Sequence, residues 1–443
     1  MLIPFLPLAA LYAVPGVGQV VNWLFVVVVI VIVLRRVRAA RNLDAVLHRR
    51  WQEAMTKRIL AVWPTLVVTL KLGVRDFEGR NVFMPIARPT WSGWACDIGV
   101  APPPGLAIED INAVVGRIRE AFGASRVAVI GQASGNIALR VQYVDVLEQP
   151  FLVPEEVEWD GRSVSMGLAE DGSEWRLPVG PHTLVAGSSG SGKASLIWGL
   201  LLGLRHPIHD GTIEVWGIDR KGGMELALGK DLLTRFADDA AHSVALLEDA
   251  VEQMQARARR LAGVTRQHVA SSEMPTVIVL IDELAALTAY ENDRDTLRRA
   301  NAAIATLASQ GRAVGFIVFA CLQDPRKETL PARGLFTQTV GLRLRDRTET
   351  AMVLGDGAVA AGALCHEISS SMPGTAYVLD EAGSPPRRVR AAYASDGHIR
   401  SLATAYQAPH QRPVHVPEPE HVQPKPRRAR GRRTERKSRE ETS

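Results

Sequence analysis

Residues 183–205 have the sequence TLVAGSSGSGKASLIWGLLLGLR, and this stretch decides the fold of the chain. The apolar run Thr183–Ala186 predicts a buried strand, and the apolar segment after Lys193 predicts a helix. Between them, residues 187–193 (GSSGSGK) fit the G-x-x-x-x-G-K pattern of a phosphate-binding loop. Glycines let successive backbone N–H groups turn around a phosphate, and the helix N-terminus adds a positive dipole end. Strand, loop and helix in this order predict a nucleotide-binding α/β domain.

This loop supplies the predicted ligands of ATP and part of a site for Mg²⁺. The Lys193 ammonium can reach the outer phosphates. Ala194 stands where a Ser or Thr hydroxyl usually binds Mg²⁺. Ser195 carries the nearest hydroxyl, but one residue along a helix is a rotation of about 100°, so Ser195 can bind the metal only if the turn shifts. The predicted nucleotide-binding residues are Gly187, Ser188, Ser189, Gly190, Ser191, Gly192, Lys193, Ala194 and Ser195.

A second motif, TVIVLIDELAAL at residues 276–287, completes the predicted chemistry. In a parallel sheet, ligands bind at the carboxyl ends of the strands, so Asp282 is expected beside the loop, where it holds Mg²⁺. Glu283 is then placed to orient or deprotonate the attacking water. A third apolar run ends at Gln323, whose side chain can bond the γ-phosphate and report its loss. The alternatives are a surface acidic pair and a simple strand cap.

Apolar runs separated by helical stretches predict a mostly parallel sheet with helices on both faces. The predicted strands are Thr183–Ala186, Thr212–Ile218, Thr276–Ile281, Gly315–Ala320, Thr339–Leu344 and Thr375–Leu379.

The N-terminal part predicts a membrane anchor, because residues 1–34 contain no charged side chain. Val17–Leu34 is long enough to contribute a bilayer span. Residues 35–41 then carry four arginines, so the positive-inside rule places the rest of the chain in the cytoplasm. The apolar Leu2–Val14 segment, broken by prolines, could be a second span, a re-entrant piece or a signal peptide. The predicted location is the cell membrane, with residues 1–41 as the anchor.

Two shorter segments separate the anchor from the nucleotide-binding domain. Residues 42–73 predict a helical linker near the membrane, interrupted at Pro64. Residues 74–150 predict a small α/β module, with a helix over Ile108–Phe122 and strands over Arg126–Ile130 and Ile137–Val144. We find no catalytic constellation in this module, which favours a role as a spacer or in assembly. The ATPase domain is predicted over residues 151–395.

The C-terminal residues 396–443 predict a disordered, Pro- and Arg-rich basic tail. Residues 401–443 carry ten Lys or Arg and five Glu, a net charge of +5 that equals the charge of the whole chain. The tail is either simply solvated or binds a polyanion such as nucleic acid or anionic lipid. The three cysteines are far apart and odd in number, which favours free thiols in a reducing compartment.

Several stretches that extend beyond the phosphate-binding loop resemble the FtsK/SpoIIIE family of membrane-anchored DNA translocases. The resemblance covers about residues 74–393. Within this family, the chain is most similar in appearance to the transfer proteins of actinobacterial conjugative elements. The stretches are EDGSEWRLPVGPHTLVAGSSGSGK (170–193), GIDRKGGMEL (217–226), VIVLIDELAAL (277–287), ASQGRAVGFIVFACLQDPRKETLPARGLF (308–336) and AMVLGDGAVAAGALCHEIS (351–369).

This resemblance implies a RecA-like ATPase domain that assembles into a homo-oligomeric ring, expected to be a hexamer, and moves double-stranded DNA through its centre. It assigns catalysis to Lys193, Glu283 and Gln323, and metal binding to Asp282. Arg220 replaces the proline of an Asp-Pro-Lys motif in relatives. We find no room after residue 393 for the DNA-reading winged helix of the division-type translocases, so sequence-specific loading is not expected. The alternatives are a protein-translocating secretion ATPase of the same superfamily and a nucleotide-binding DNA tether with weak turnover.

Overall fold

A computed structural model describes residues 45–131, 137–154, 156, 159–326, 333–381, 383–409 and 411–416. The predicted anchor at residues 1–41 and the basic run at residues 425–439 therefore lie outside the described residues. Within the described ranges, none of the helices combines the length and the apolar composition that crossing a bilayer requires.

The described strands form a ten-stranded sheet, a four-stranded sheet and a two-stranded ribbon. They are β1 (Gly73–Arg75), β2 (Asn81–Phe83), β3 (Thr90–Ser92), β4 (Ala95–Val100), β5 (Arg126–Gly131), β6 (Ile137–Gln142), β7 (Ser163–Ala169), β8 (Glu174–Pro178), β9 (Thr183–Ala186), β10 (Ile213–Ile218), β11 (Arg235–Ala237), β12 (Thr276–Ile281), β13 (Phe316–Leu322), β14 (Gln338–Gly341), β15 (Thr375–Leu379) and β16 (Arg387–Ala391).

The large sheet has the strand order β11-β10-β12-β13-β9-β14-β15-β16-β7-β8. The six strands from β11 to β14 are all parallel, and every pairing from β14 to β8 is antiparallel. The α/β class with a large, mostly parallel sheet is confirmed, and β9 lies in the interior of the sheet. No strand was predicted at β7, β8, β11 or β16. The predicted end of β14 at Leu344 is too late, since the strand ends at Gly341 and the Arg343 carbonyl already bonds the phosphate-binding loop.

Both faces of the parallel part are covered by helices, which is why its strands are apolar on both sides. Alternate residues of β12 show this clearly. Ile278 and Leu280 belong to one buried cluster with the helix that follows the phosphate-binding loop, whereas Val277 and Val279 belong to a second cluster on the opposite face.

The helices begin and end at recognisable caps. Asp239, Asp293 and Ser395 each accept a hydrogen bond from the backbone N–H three residues later, and this satisfies a donor that the first helical turn leaves free. The helices are α1 (residues 45–69), α2 (Ile108–Asn112), α3 (Val115–Phe122), α4 (Lys193–Gly203), α5 (Arg205–His209), α6 (Ala240–Leu261), α7 (Ala285–Thr288), α8 (Arg294–Gln310), α9 (Arg347–Leu354), α10 (Asp356–Ala360) and α11 (Asp396–Ala405). The prediction that the chain is disordered from residue 396 is wrong over α11, because Ile399 and Ala403 are buried in the domain core.

The small module consists of the four-stranded antiparallel sheet β3-β4-β6-β5 packed against α1, α2 and α3. The segment Ile108–Phe122, predicted as one helix, forms two helices, because a turn at residues 113–114 interrupts the helix between Asn112 and Val115. Helix α1 continues through Pro64, where a break was predicted. Trp63 and Val67 on either side of Pro64 are buried in the module core, so packing holds both turns in place. The segment predicted as a linker is therefore part of this core.

Polar contacts join the module to the large sheet. Arg388 on β16 donates to both carboxylate oxygens of Asp145, at 3.0 and 2.8 Å. Arg126 on β5 pairs with Glu170 and also donates to the Tyr377 hydroxyl at 2.7 Å. Because these side chains are largely buried, the pairs are screened less than surface ion pairs and help to fix the module on the sheet.

Candidate nucleotide-binding site

The phosphate-binding loop lies where β9 ends and α4 begins, and its neighbours hold it closely. The Ser188 N–H donates to the Arg343 carbonyl at 2.9 Å, and the Gly374 N–H donates to the Ser191 carbonyl at 2.8 Å. Gly192 has φ +96°, and a Cβ at this position would lie 2.1 Å from the Gly374 nitrogen. Only glycine fits here, because both the left-handed backbone and the close approach exclude a side chain.

Two side chains inside the loop are suited to an anion. The Lys193 ammonium donates to the Gly187 carbonyl at 2.8 Å, and burial lowers the pKa of Lys193. The Ser191 hydroxyl is buried and has no hydrogen-bond partner among the described residues. A buried hydroxyl without a partner is costly, and a bound phosphate oxygen would satisfy it. The residues present therefore fit the phosphates of a nucleotide.

Asp282 and Glu283 follow β12 directly, at the carboxyl edge of the sheet that also carries the loop. Both are buried, with 4% and 6% of their surface exposed. Lys221, from the loop after β10, lies 3.3 Å from Asp282 Oδ2 and 3.7 Å from Glu283 Oε2. Burial raises the pKa of both carboxyl groups, and the Lys221 cation acts against that effect. A carboxylate with a raised pKa is suited to accept a proton near neutral pH.

Gln323 follows β13, and its contact with Glu283 runs through the backbone. The Gln323 N–H donates to Glu283 Oε1 at 3.2 Å, and this bond orients the carboxylate. The Gln323 side chain lines the same cavity as the loop. Its role as a γ-phosphate sensor remains a prediction.

These groups surround a cavity of about 490 Å³. The wall includes the whole loop from Ser188 to Ser195, together with Lys221, Asp282 and Gln323. Ala194 also packs against the apolar core, whereas Ser195 offers a hydroxyl at the wall. Among the described residues, no cluster of three His, Cys, Asp or Glu side chains could hold a metal alone. Mg²⁺ binds proteins through one or two carboxylates plus substrate phosphates, and Asp282 supplies a carboxylate at the cavity wall. Asp282 and Ser195 remain the predicted metal ligands.

The loop between β10 and the 3-10 turn Leu226–Leu232 is organised by Asp219, which is completely buried. Its carboxylate accepts from the backbone N–H groups of Lys221, Glu225 and Leu226 at 2.8 to 3.1 Å. This arrangement places Lys221 at the Asp282–Glu283 pair, although Arg220 replaces the proline of the motif. Arg220 instead forms an ion pair with Glu291 at 2.9 Å.

The far wall of the cavity consists of residues that were not predicted as site residues. Pro150, Arg390 and Tyr393 line it, and they come from the chain before β7 and from the end of β16. Arg390 is buried and donates to the carbonyls of Leu147 and Glu148, both at 2.7 Å. The sequence around these residues contains no motif that identifies them as site residues. They reach the phosphate-binding loop only because β16 pairs antiparallel with β7.

Arginines near the strand ends differ in what they contact. Arg343 donates to the Ser189 carbonyl of its own loop at 3.1 Å. Arg326 pairs with Asp324, and Arg312 pairs with Glu381. Arg312 precedes β13 and therefore lies at the opposite edge of the sheet from the loop.

Comparison with known proteins identifies a domain within this structure. Residues 150–271 match the FtsK/SpoIIIE family, which confirms the predicted resemblance. The transfer protein TraSA of Streptomyces ambofaciens is 28% identical over 321 residues, which are 67% of this chain and 75% of TraSA. The DNA translocase FtsK of Mycobacterium tuberculosis (strain ATCC 25618 / H37Rv) is 27% identical over 352 residues, which are 72% of this chain but only 40% of FtsK.

A solved structure shares the fold. The monomer form of the pCW3 conjugation coupling protein TcpA, determined with ATPgS, superposes with a TM-score of 0.54. The match covers 80% of this chain and 99% of that chain, at 18% sequence identity. The shared fold therefore extends beyond residues 150–271, the part that matches the family.

Proposed function

We propose that this chain is a membrane-anchored, ATP-driven translocase of double-stranded DNA that acts in conjugative transfer of a plasmid or integrative element. The observation that carries the proposal is the convergence of Lys193, Asp282 and Gln323 on one cavity at the carboxyl edge of the parallel strands. Glu283 is held beside them by the Gln323 N–H and the Lys221 ammonium. The similarity to a transfer protein over 75% of its length supports the setting, and the similarity to a DNA translocase supports the substrate.

The roles follow from the contacts of each residue. Bound Mg²⁺–ATP supplies the phosphoanhydride whose hydrolysis releases the free energy for movement. The N–H groups of the loop and the Lys193 ammonium hold the phosphates, and Asp282 and Ser195 hold the metal. Glu283, oriented by the Gln323 N–H and kept in a buried position, orients the attacking water and takes up its proton. Gln323 senses the γ-phosphate.

The proposal extends to assembly and location. The RecA-like domain at residues 151–395 forms a homo-oligomeric ring, with six subunits as the expected number, around double-stranded DNA. Residues 1–41 anchor it in the cell membrane, residues 42–150 connect the anchor to the motor in the cytoplasm, and the basic run at residues 425–439 lies in a tail that follows α11. In a ring, an arginine of one subunit can stabilise the γ-phosphate charge of ATP bound by its neighbour. The candidates flank β13 and β14, and they are Arg312, Arg326 and Arg343. Arg326 is favoured, because Arg343 contacts its own loop and Arg312 lies at the opposite edge of the sheet.

The test is ATP hydrolysis by the detergent-solubilised full chain, with and without double-stranded DNA. DNA should stimulate hydrolysis, Lys193→Ala should abolish it, and Glu283→Gln should bind ATP without cleaving it. Lys230→Ala is the matched control, because this exposed lysine lies outside the cavity.

Each alternative outcome has a definite meaning. A rate of ATP hydrolysis that does not change when DNA is added would favour the alternative function, a protein-translocating secretion ATPase. ATP binding without turnover in the unmodified chain would favour a DNA tether. If Glu283→Gln hydrolyses ATP at the unmodified rate, the assignment of the base is wrong.

A further inference from the structure

Five aromatic side chains gather at the first turns of α1, far from the nucleotide site. They are His48, Trp51, Trp91, Trp94 and Tyr143, and we refer to them as the aromatic end of the module. The Trp51 ring lies at the centre, with its centroid 4.9 Å from Trp94, 5.3 Å from Trp91 and 5.0 Å from Tyr143. Most of these pairs meet edge to face, the geometry that aromatic rings prefer.

The aromatic end is only partly covered by protein. Trp94 is 45% exposed, and Leu47 on the neighbouring turn of α1 is 53% exposed. The Trp91 indole donates to the Thr56 hydroxyl at 2.8 Å, whereas the Trp94 indole has no acceptor in the part of the chain that the structure describes. Val144, which follows Tyr143, adds a further exposed apolar side chain. The result is an apolar surface with an available N–H donor.

Charge and chain position indicate what covers this surface. Arg49 and Arg50 are exposed beside it on α1. In the sequence, the apolar Val17–Leu34 segment ends eleven residues before residue 45, the first residue that the structure describes, and four arginines follow it. Eleven residues span about 16 Å if helical and about 38 Å if extended. The aromatic end is therefore tethered within reach of the polar surface of any bilayer that holds Val17–Leu34.

We propose that the aromatic end lies in the headgroup layer of an anionic bilayer. This inference rests on the proposed membrane anchoring and adds a second contact to it. The Trp94 indole donates to lipid phosphate or ester oxygens while its ring and Leu47 enter the boundary of the acyl chains. Arg49 and Arg50 pair with anionic headgroups. The module then stands on the membrane in one orientation rather than moving freely on its tether.

The test uses a fluorophore at position 94 in the full chain, reconstituted into vesicles of phosphatidylcholine and phosphatidylglycerol. Trp94→Cys is labelled with a nitrobenzoxadiazole maleimide. The native thiols should label poorly, since Cys96, Cys321 and Cys365 are all buried and burial raises the pKa of Cys96 and Cys365 to about 12. Phe77→Cys is the matched control, because Phe77 is 94% exposed beyond the other end of α1.

We expect blue-shifted emission at position 94, and quenching by headgroup nitroxide lipids severalfold stronger than at position 77. Equal quenching at both positions would overturn the inference. Blue-shifted emission at position 94 without quenching by the nitroxide lipids would also overturn it, and would indicate that protein covers this position. Val144→Cys provides a second labelled position if Trp94→Cys does not fold.

Flotation of the same samples separates this inference from the proposed function. A chain that floats with the vesicles but is not quenched at position 94 is anchored without the second contact. A chain that does not float overturns both the anchor and the contact. ATP hydrolysis by the labelled chain, measured in parallel, reports on the motor independently of either result.

Discussion

His182 should make the stability of the nucleotide-binding domain depend on pH. Its ring lies just before β9, where Nδ1 accepts from the Val318 N–H at 3.0 Å and the buried Nε2 has no partner among the described residues. Burial, together with the nearby Arg312 cation, lowers the pKa of His182 from 6.5 to about 4, although Glu381 acts in the opposite direction. The neutral ring is therefore required in the folded state.

The expected size follows from proton linkage. Between pH 6.5 and pH 4 the unfolded chain binds a proton at this site and the folded chain does not, so acid favours unfolding. One pKa unit corresponds to about 1.4 kcal/mol, which gives a loss of about 2 kcal/mol between pH 7 and pH 5. This contribution is fully present above pH 6.5 and is lost as the pH falls toward 4.

The assay compares urea unfolding of the detergent-solubilised chain with that of His182→Gln at both pH values, followed by tryptophan fluorescence. Gln can accept the same Val318 N–H but does not titrate. The variant should lose about 2 kcal/mol less than the unmodified chain on acidification. His268, whose pKa burial also lowers to about 4, contributes equally to both proteins and cancels. If both proteins lose the same stability, the reasoning about His182 is refuted.

Four further predictions concern the site and the tail. Gly192→Ala should abolish binding of a fluorescent ATP analogue, whereas Gly180→Ala, where a Cβ would meet nothing within 4 Å, should leave it unchanged. Ala194→Ser should lower the Mg²⁺ concentration that gives half-maximal ATP hydrolysis, and an unmoved midpoint would mean that Ser195 or another group already supplies the ligand. Lys221→Met removes the cation that lowers the pKa of Asp282 and Glu283, two carboxyl groups whose pKa is raised by burial. Their pKa should rise further, so the acid limb of the ATPase pH profile should move to higher pH. An unchanged profile would exclude Glu283 as the titrating group. Deleting residues 425–443 should flatten the salt dependence of DNA binding without changing basal ATPase, and an unchanged slope would remove the tail from DNA binding.

The parallel core was predictable because its signals are local. The apolar run Thr183–Ala186 is followed by Gly187, and Thr276–Ile281 lies between Pro275 and Asp282. The observed strands have the same limits as these runs. The chemistry at strand ends follows from the topology of parallel sheets, so Asp282 and the loop could be placed together. The antiparallel strands β7, β8 and β16 carry polar and charged residues at many positions, and no such run marks them.

What the sequence did not reveal depends on distant pairing. Pro64 lies within α1 because Trp63 and Val67 are buried against strands that come later in the chain, and a local rule cannot anticipate that packing. Arg390 and Tyr393 reach the nucleotide cavity only through the pairing of β16 with β7. The aromatic end likewise assembles from α1, the β3–β4 hairpin and the end of β6.

The segment from Leu147 to Val153 has a mechanical consequence. A motor that pulls on a polymer passes an equal and opposite force to its anchor, and under the proposed function that force crosses the connection between module and sheet. Residues there are clamped by Arg390 and by paired backbone bonds, Tyr393 N–H to the Phe151 carbonyl at 2.8 Å and Val153 N–H to the Tyr393 carbonyl at 3.1 Å. Arg390 and Tyr393 also form the wall of the nucleotide cavity. Tension between anchor and DNA would therefore act on the nucleotide site, and by reciprocity the bound nucleotide would set the stiffness of the connection.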